Sequence, residues 1–327
     1  MKHNFGRAIS AAALFALASG AAAVDFTAFK SPIIIRGGPT AWYGDPAAIY
    51  TDGVFRLYYT FGRPEPDGRF YMYTAVSKST NLVDWTEPRI LTPRGLNLNF
   101  SSPGDVVRFG GEWILCVTSY PRPNGERYAN DTARLWIMRS RDLENWSEPE
   151  LLKVKGTDVP VEQMGRMIDP YLLQDKDDPG KWWCFYKQNG VSLSWSRDLK
   201  TWNYWGHVDA GENVCVLVED GEYVMFHSPK NGIGVKRSKD LKTWRDDGLT
   251  ILGQKDWDWA HGRLTAGFVL DLRKEPGVGK YLMFFHGSGP GTDRNSLQSL
   301  GLAWSDDLVN WNWPGKSVTN SPPSQSK

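Results

Sequence analysis

Ser79-Thr80-Asn81-Leu82-Val83-Asp84-Trp85 returns in outline at residues 140–146, 196–202, 238–244 and 305–311, each copy reading Ser-x-Asp/Asn-Leu-x-x-Trp. Ser and Asp/Asn bond the local backbone and so favour tight turns, while the flanking runs are rich in β-branched and aromatic residues. A turn between two strands is therefore being repeated. Spacings of about forty to seventy residues over most of the chain fall near those of propeller blades. The repeat predicts an all-β, five-bladed β-propeller with four-stranded antiparallel blades.

The 327 residues carry a formal net charge of +1, which gives no basis for electrostatic capture of nucleic acid or of an anionic membrane. Sixteen Trp, beside many Tyr and Phe, suggest stacking surfaces as well as core. The N-terminus places Lys2 and Arg7 before an apolar run from Ala8 to Leu17 and then Gly20-Ala21-Ala22-Ala23, the pattern of a cleaved secretory signal. Residues 1–23 are thus expected to be removed. Residues 24–315 would form the propeller and 316–327 a disordered tail, giving a periplasmic or extracellular protein with no membrane attachment after cleavage. Three Cys in strand-like runs cannot all pair, and free buried thiols are expected.

Along the chain, each blade opens on an innermost strand whose first residues would converge at one end of the axis. Those heads read Trp42-Tyr43-Gly44-Asp45-Pro46, Ser102-Pro103-Gly104-Asp105, Met167-Ile168-Asp169-Pro170, Gly211-Glu212-Asn213 and Ala260-His261-Gly262-Arg263. Asp45, Asp105, Asp169, Glu212 and His261 would share one funnel. Crowded carboxyls raise one another's pKa, as a general acid near neutral pH requires, and glycoside hydrolysis uses one neutral carboxylic acid and one carboxylate. Arg166 and Arg263 lie close enough in sequence to orient a carboxylate or a sugar hydroxyl, and Trp42 and Tyr43 to stack on sugar rings. An oligosaccharide or polysaccharide is the expected partner. The loops over 121–131 and 287–296 would shape its pocket.

Asp45-Pro46, Ile168-Asp169-Pro170 with the Asp177-Asp178 turn, and Glu212 before a strand resemble glycoside hydrolase family 43, and the likeness runs from about Trp42 to Trp313. The resemblance implies an enzyme that cleaves O-glycosidic bonds of plant or algal glycans, usually with inversion, of the arabinofuranosidase, xylosidase or galactosidase type. It implies Asp45 as general base, Asp169 as the carboxylate that raises and orients the acid, and Glu212 as general acid. Asp105 becomes substrate-binding or structural, and His261 the channel histidine that helps hold a hydrated calcium or similar ion. The chemistry itself would need no cofactor. Asn213-Val214 stands where the family usually has Gly-Pro. The related families 32, 68, 117 and 130 share the plan, which keeps open a family 117-like anhydrogalactosidase, a glycoside phosphorylase and a noncatalytic glycan-binding propeller.

Overall fold

The computed structural model describes residues 23–126, 129–289 and 297–316. The expected signal cleavage segment before Ala23 and the tail beyond Lys316 lie outside the described residues, as do parts of both pocket loops.

The repeated phrase folds the same way each time. The Ser hydroxyl accepts the backbone N–H of the Leu three residues on in four copies, at 2.8–3.0 Å. The Asp or Asn carboxyl or amide oxygen accepts the next two amides, as Asp142 does from Glu144 and Asn145. These amide bonds hold the carboxyls of Asp142, Asp198 and Asp240 below the usual range. All five Leu sit in the left-handed region, φ 56° to 65°, and all are buried. That conformation costs a non-glycine residue roughly 1–2 kcal/mol. The Ser and Asp bonds, with burial of the Leu side chain, offset it.

Each turn joins the third strand of a blade to the outermost one. Blade one comprises Trp42–Thr51, Val54–Pro64, Phe70–Ser79 and Arg89–Ile90. In blade two the inner strand is split into Phe100–Ser101 and Val106–Phe109, followed by Glu112–Ser119, Arg134–Ser140 and Glu150–Leu151. Blades three and four begin at Ile168–Gln174 and Glu212–Glu219 and end at Asn203–Val208 and Arg245–Thr250. Blade five has Arg263–Leu272, Lys280–Ser288 and Ser299–Ser305. Its edge is assembled from both ends of the chain, since Ile33–Ile35 and Trp311–Asn312 each pair antiparallel with Ser299–Ser305. The ring is closed by that joint.

The inner strands share a device that the site depends on. Pairing with the second strand skips two residues at Asp45-Pro46, Asp169-Pro170, Asn213-Val214 and Ala266-Gly267, and four at residues 102–105. The first residue of every skip is left-handed: Asp45, Ser102, Asp169, Asn213 and Ala266 have φ between 41° and 55°. Bulges of this kind re-aim a side chain. Around them the blades press together: a Cβ on Gly104 would lie 1.3 Å from the Pro170 carbonyl oxygen, so only glycine fits there. All three cysteines are free and buried.

Candidate active site

The five bulge residues are tied into a ring. The backbone N–H of Ser102 donates to Thr60 Oγ1 of blade one at 2.7 Å, and that of Asp169 donates to Thr118 Oγ1 of blade two at 3.0 Å. Ala266 N–H donates to Ser228 Oγ of blade four at 2.7 Å, and Asp45 N–H to His286 Nδ1 of blade five at 2.9 Å. A buried second-strand side chain thus receives the head of the next blade. The one exception is blade four, where Asn213 N–H donates to the Asp169 carboxylate, Oδ2, at 3.3 Å.

Asp45 heads the first bulge. Its Oδ2 accepts from Thr60 Oγ1 at 2.9 Å and Ser102 Oγ at 3.0 Å, and its Oδ1 accepts from Asn213 Nδ2 at 3.2 Å. All three partners are donors, an arrangement suited to a carboxylate. His286 Nδ1 lies 3.6 Å from Asp45 Oδ1, yet this is no ion pair. The nitrogen already accepts the Asp45 N–H, and burial pushes the imidazole down to about 4, leaving it neutral.

Asp169 is buried at the third bulge. Burial, reinforced by the Glu212 and Asp45 carboxyls, pushes it well above the usual carboxylate range, and the Arg166 guanidinium and the Asn213 N–H oppose that. Glu212 immediately precedes the fourth bulge, and Arg263 Nη2 donates to its Oε1 at 2.7 Å. Its Oε2 has no protein partner among the described residues. Asp45, Gly104, Asp169, Asn213, Ala266 and Phe268 line one small concavity of about 20 Å³, and because they come from all five blades it lies on the axis.

Other expected residues fall elsewhere. Trp42 is buried, its ring stacked on Phe70 at 5.8 Å and pressed on Gly62, so neither face is open to a sugar. Tyr43 stacks on Phe61 and meets Tyr59 edge-on. Both are packing residues of blade one. Arg166 donates through Nε to the Ala129 carbonyl at 3.3 Å and lies over the Tyr120 ring while facing Asp169. His261 is exposed after the short helical turn Asp258–Ala260, with Nε2 2.7 Å from the Lys255 carbonyl oxygen. The blade-five strand begins only at Arg263 and its bulge is Ala266, so the histidine brought to the axis is His286. His261 does not fit a channel ion, and among the described residues no three His, Cys, Asp or Glu side chains are grouped to hold a metal.

Asp105 lies below the funnel because the blade-two bulge is four residues long and its head is Ser102. Burial pushes the Asp105 carboxyl up to about 8, against the backbone N–H groups of Val106 and Leu172 that it accepts. A folded-state pKa above the unfolded value of 3.8 means that its stabilising contribution is complete below about pH 4 and is lost as pH rises through about 8. His227 and His286, pushed down to about 4, act the opposite way and only below about pH 6.5. Asp105→Asn keeps an acceptor and cannot ionise. Its thermal midpoint should therefore gain on the wild type by ~5 °C between pH 6.5 and 8.5, the equivalent of roughly 2 kcal/mol. Parallel melting curves over that range would contradict the assignment.

Several residues of the site went unread as such in the sequence: Thr60, Ser102 and Asn213. Ser102-Pro103 matches Asp45-Pro46 and Asp169-Pro170 in position, a signal masked by the absence of an acidic side chain at residue 102. Arg134 was also missed. This buried guanidinium donates to the carbonyls of Asp131, Ala133, Val161 and Gly165, tying together the segments that carry Arg166.

Comparison of the whole fold with solved structures gives consistent matches. A thermostable family 43 glycoside hydrolase superposes with a TM-score of 0.56 at 16% identity, covering 89% of this chain and 98% of that one. The fold is shared with glycoside hydrolases. An arabinanase from Bacillus subtilis matches with a TM-score of 0.58 at 16% identity over 83% of this chain and 97% of its own. A family 117 glycoside hydrolase from the marine bacterium Zobellia galactanivorans gives 0.58 at 14% identity over 81% and 86%. No protein-family model matches the sequence, and no curated protein matches it significantly. At these identities the likeness is one of architecture.

Proposed function

We propose that this protein is an exported glycoside hydrolase that cleaves O-glycosidic bonds of a plant or algal oligosaccharide or polysaccharide by acid/base catalysis with inversion. The observation that carries the reading is the convergence of Asp45, Asp169 and Glu212 at the axial bulges of a propeller whose architecture is that of glycoside hydrolases. Export follows from the Lys2/Arg7, apolar, Ala-rich pattern of the N-terminus.

Asp45 is the general base. Its carboxylate is fixed by Thr60, Ser102 and Asn213, so it can take a proton from water without reorienting. Glu212 is the general acid. Arg263 holds Oε1 and sets the orientation of the carboxyl, and Oε2 is the oxygen free to carry the proton to the leaving group. Asp169 lies beside both. The concavity beside Asp45 and Asp169 has a volume of about 20 Å³, room for about one water next to the base.

One observation favours a second assignment of the acid. Asp169 is the carboxyl that burial pushes well above the usual range, whereas Glu212 is bound to a guanidinium. Under that reading Asp169 donates the proton and Glu212 with Arg263 binds sugar hydroxyls.

Proton NMR of plant and algal oligosaccharides incubated with the protein tests the overall proposal. New reducing ends should appear without added phosphate, with the anomer opposite to that of the cleaved bond seen first. Cleavage only in the presence of phosphate would replace hydrolysis by phosphorolysis, and first appearance of the retained anomer would overturn inversion.

A further inference from the structure

The five-fold pattern of the inner strands is broken in one place, and the break falls between Asp45 and Asp169. Four bulge amides are received by a second-strand side chain of the preceding blade. The fifth, that of Asn213, donates instead to Asp169 Oδ2. The side chain of the same residue reaches across the axis and donates through Nδ2 to Asp45 Oδ1. Asp45 presents only acceptors there, so the amide must turn its NH₂ towards it.

We propose that Asn213 is a positioning residue that bridges Asp45 and Asp169, setting their relative placement and supplying the third hydrogen bond to the Asp45 carboxylate. Its backbone makes this cheap. Asn tolerates the left-handed conformation better than most residues, and here φ is 51°. A β-branched or larger apolar residue would strain the bulge, and glycine would keep the bulge but lose the bridge. Two adjacent residues therefore supply both the Glu212 carboxyl and the link between the other two.

The bridge rests on geometry alone, and its catalytic consequence rests on the hydrolase reading. Charged and titratable groups near Asp45 are Asp169, Glu212, Arg263 and His286, the last of which stays neutral. Removing the Asn213 side chain leaves those groups and the Asn213 backbone bond to Asp169 in place. Asp45 alone loses a donor. Loss of a hydrogen bond to the charged form makes protonation easier.

The test has two arms. Carbon-13 carboxyl NMR of the full-length protein should show Asp45 taking up its proton at higher pH in Asn213→Gly than in the wild type. Asn213→Asp, which turns a donor into a third carboxylate, should move that uptake further. In the unmutated protein the side-chain amide signals of Asn213 should follow the Asp45 titration, a readout that requires no variant to fold. Superimposable Asp45 curves, or amide signals that ignore the titration, would overturn the bridge. On whichever glycoside the wild type cleaves, Asn213→Gly should lower kcat by ~10- to 100-fold with KM little changed, and the acidic limb of its rate profile should move upward. An equal loss at every pH with a raised KM would point to a purely structural role. A wild type that cleaves no glycoside would sink the hydrolase reading and leave the bridge to be judged by the titrations.

Discussion

Asp45→Asn is expected to lower kcat by ~10³-fold or more while leaving KM and the thermal midpoint close to those of the wild type. The change removes a base and little else. Asn accepts the left-handed backbone that Asp45 adopts at φ 48°, and the Thr60 and Ser102 hydroxyls can reverse their bonds to meet an amide. His286 offers no substitute base for the water, since its Nδ1 lone pair accepts the Asp45 N–H, the ring proton then sits on Nε2, and burial makes the ring a poor proton acceptor. A variant that keeps more than about a tenth of the wild-type kcat would remove Asp45 from the chemistry.

The second large effect separates the two candidate acids. A proton donor matters in proportion to how poor the leaving group is, so Glu212→Gln should cost ~10²- to 10⁴-fold on sugar or alkyl leaving groups and under ~10-fold on dinitrophenyl glycosides. Arg263 remains able to hold the Gln carbonyl, which keeps the side chain in place. Asp169→Asn should instead lower both classes of substrate alike, because Asp169 acts there through its contact with Asn213 and its place beside Asp45 and Glu212. The opposite pattern, with leaving-group dependence in Asp169→Asn and none in Glu212→Gln, would transfer the acid role to the buried aspartate.

The architecture was legible because its signal is local. Ser, Asp/Asn, Leu and Trp within seven residues specify a turn through bonds that stay inside the phrase, and five copies count the blades. Asp45 and Asp169 were legible for a related reason: an acidic residue before Pro at the start of an apolar strand marks the bulge itself. Glu212 was found one residue away from its bulge. What escaped reading depends on register between strands. Nothing within residues 260–263 shows that the skip in pairing comes later, at Ala266, so His261 looked like a head while His286, in the second strand, is the histidine at the axis. Asp105 was misplaced by the longer blade-two bulge, and Trp42 by its fit against Phe70 and Gly62, a contact made with neighbouring strands of its own blade.

Asn213 shows the same limit from the other side. In sequence it is a departure following an acidic residue, and only the ring of amide bonds gives it a place between Asp45 and Asp169. The role of a bridging residue is written in two distances.

The most direct measurement is release of nitrophenol from a panel of aryl α-L-arabinofuranosides, β-D-xylosides and α- and β-galactosides by the wild-type protein. Steady turnover of at least one member is expected, abolished in Asp45→Asn. No release from any member, with the corresponding sugars still binding in calorimetry, would contradict the enzyme and leave a propeller that holds glycans without cleaving them.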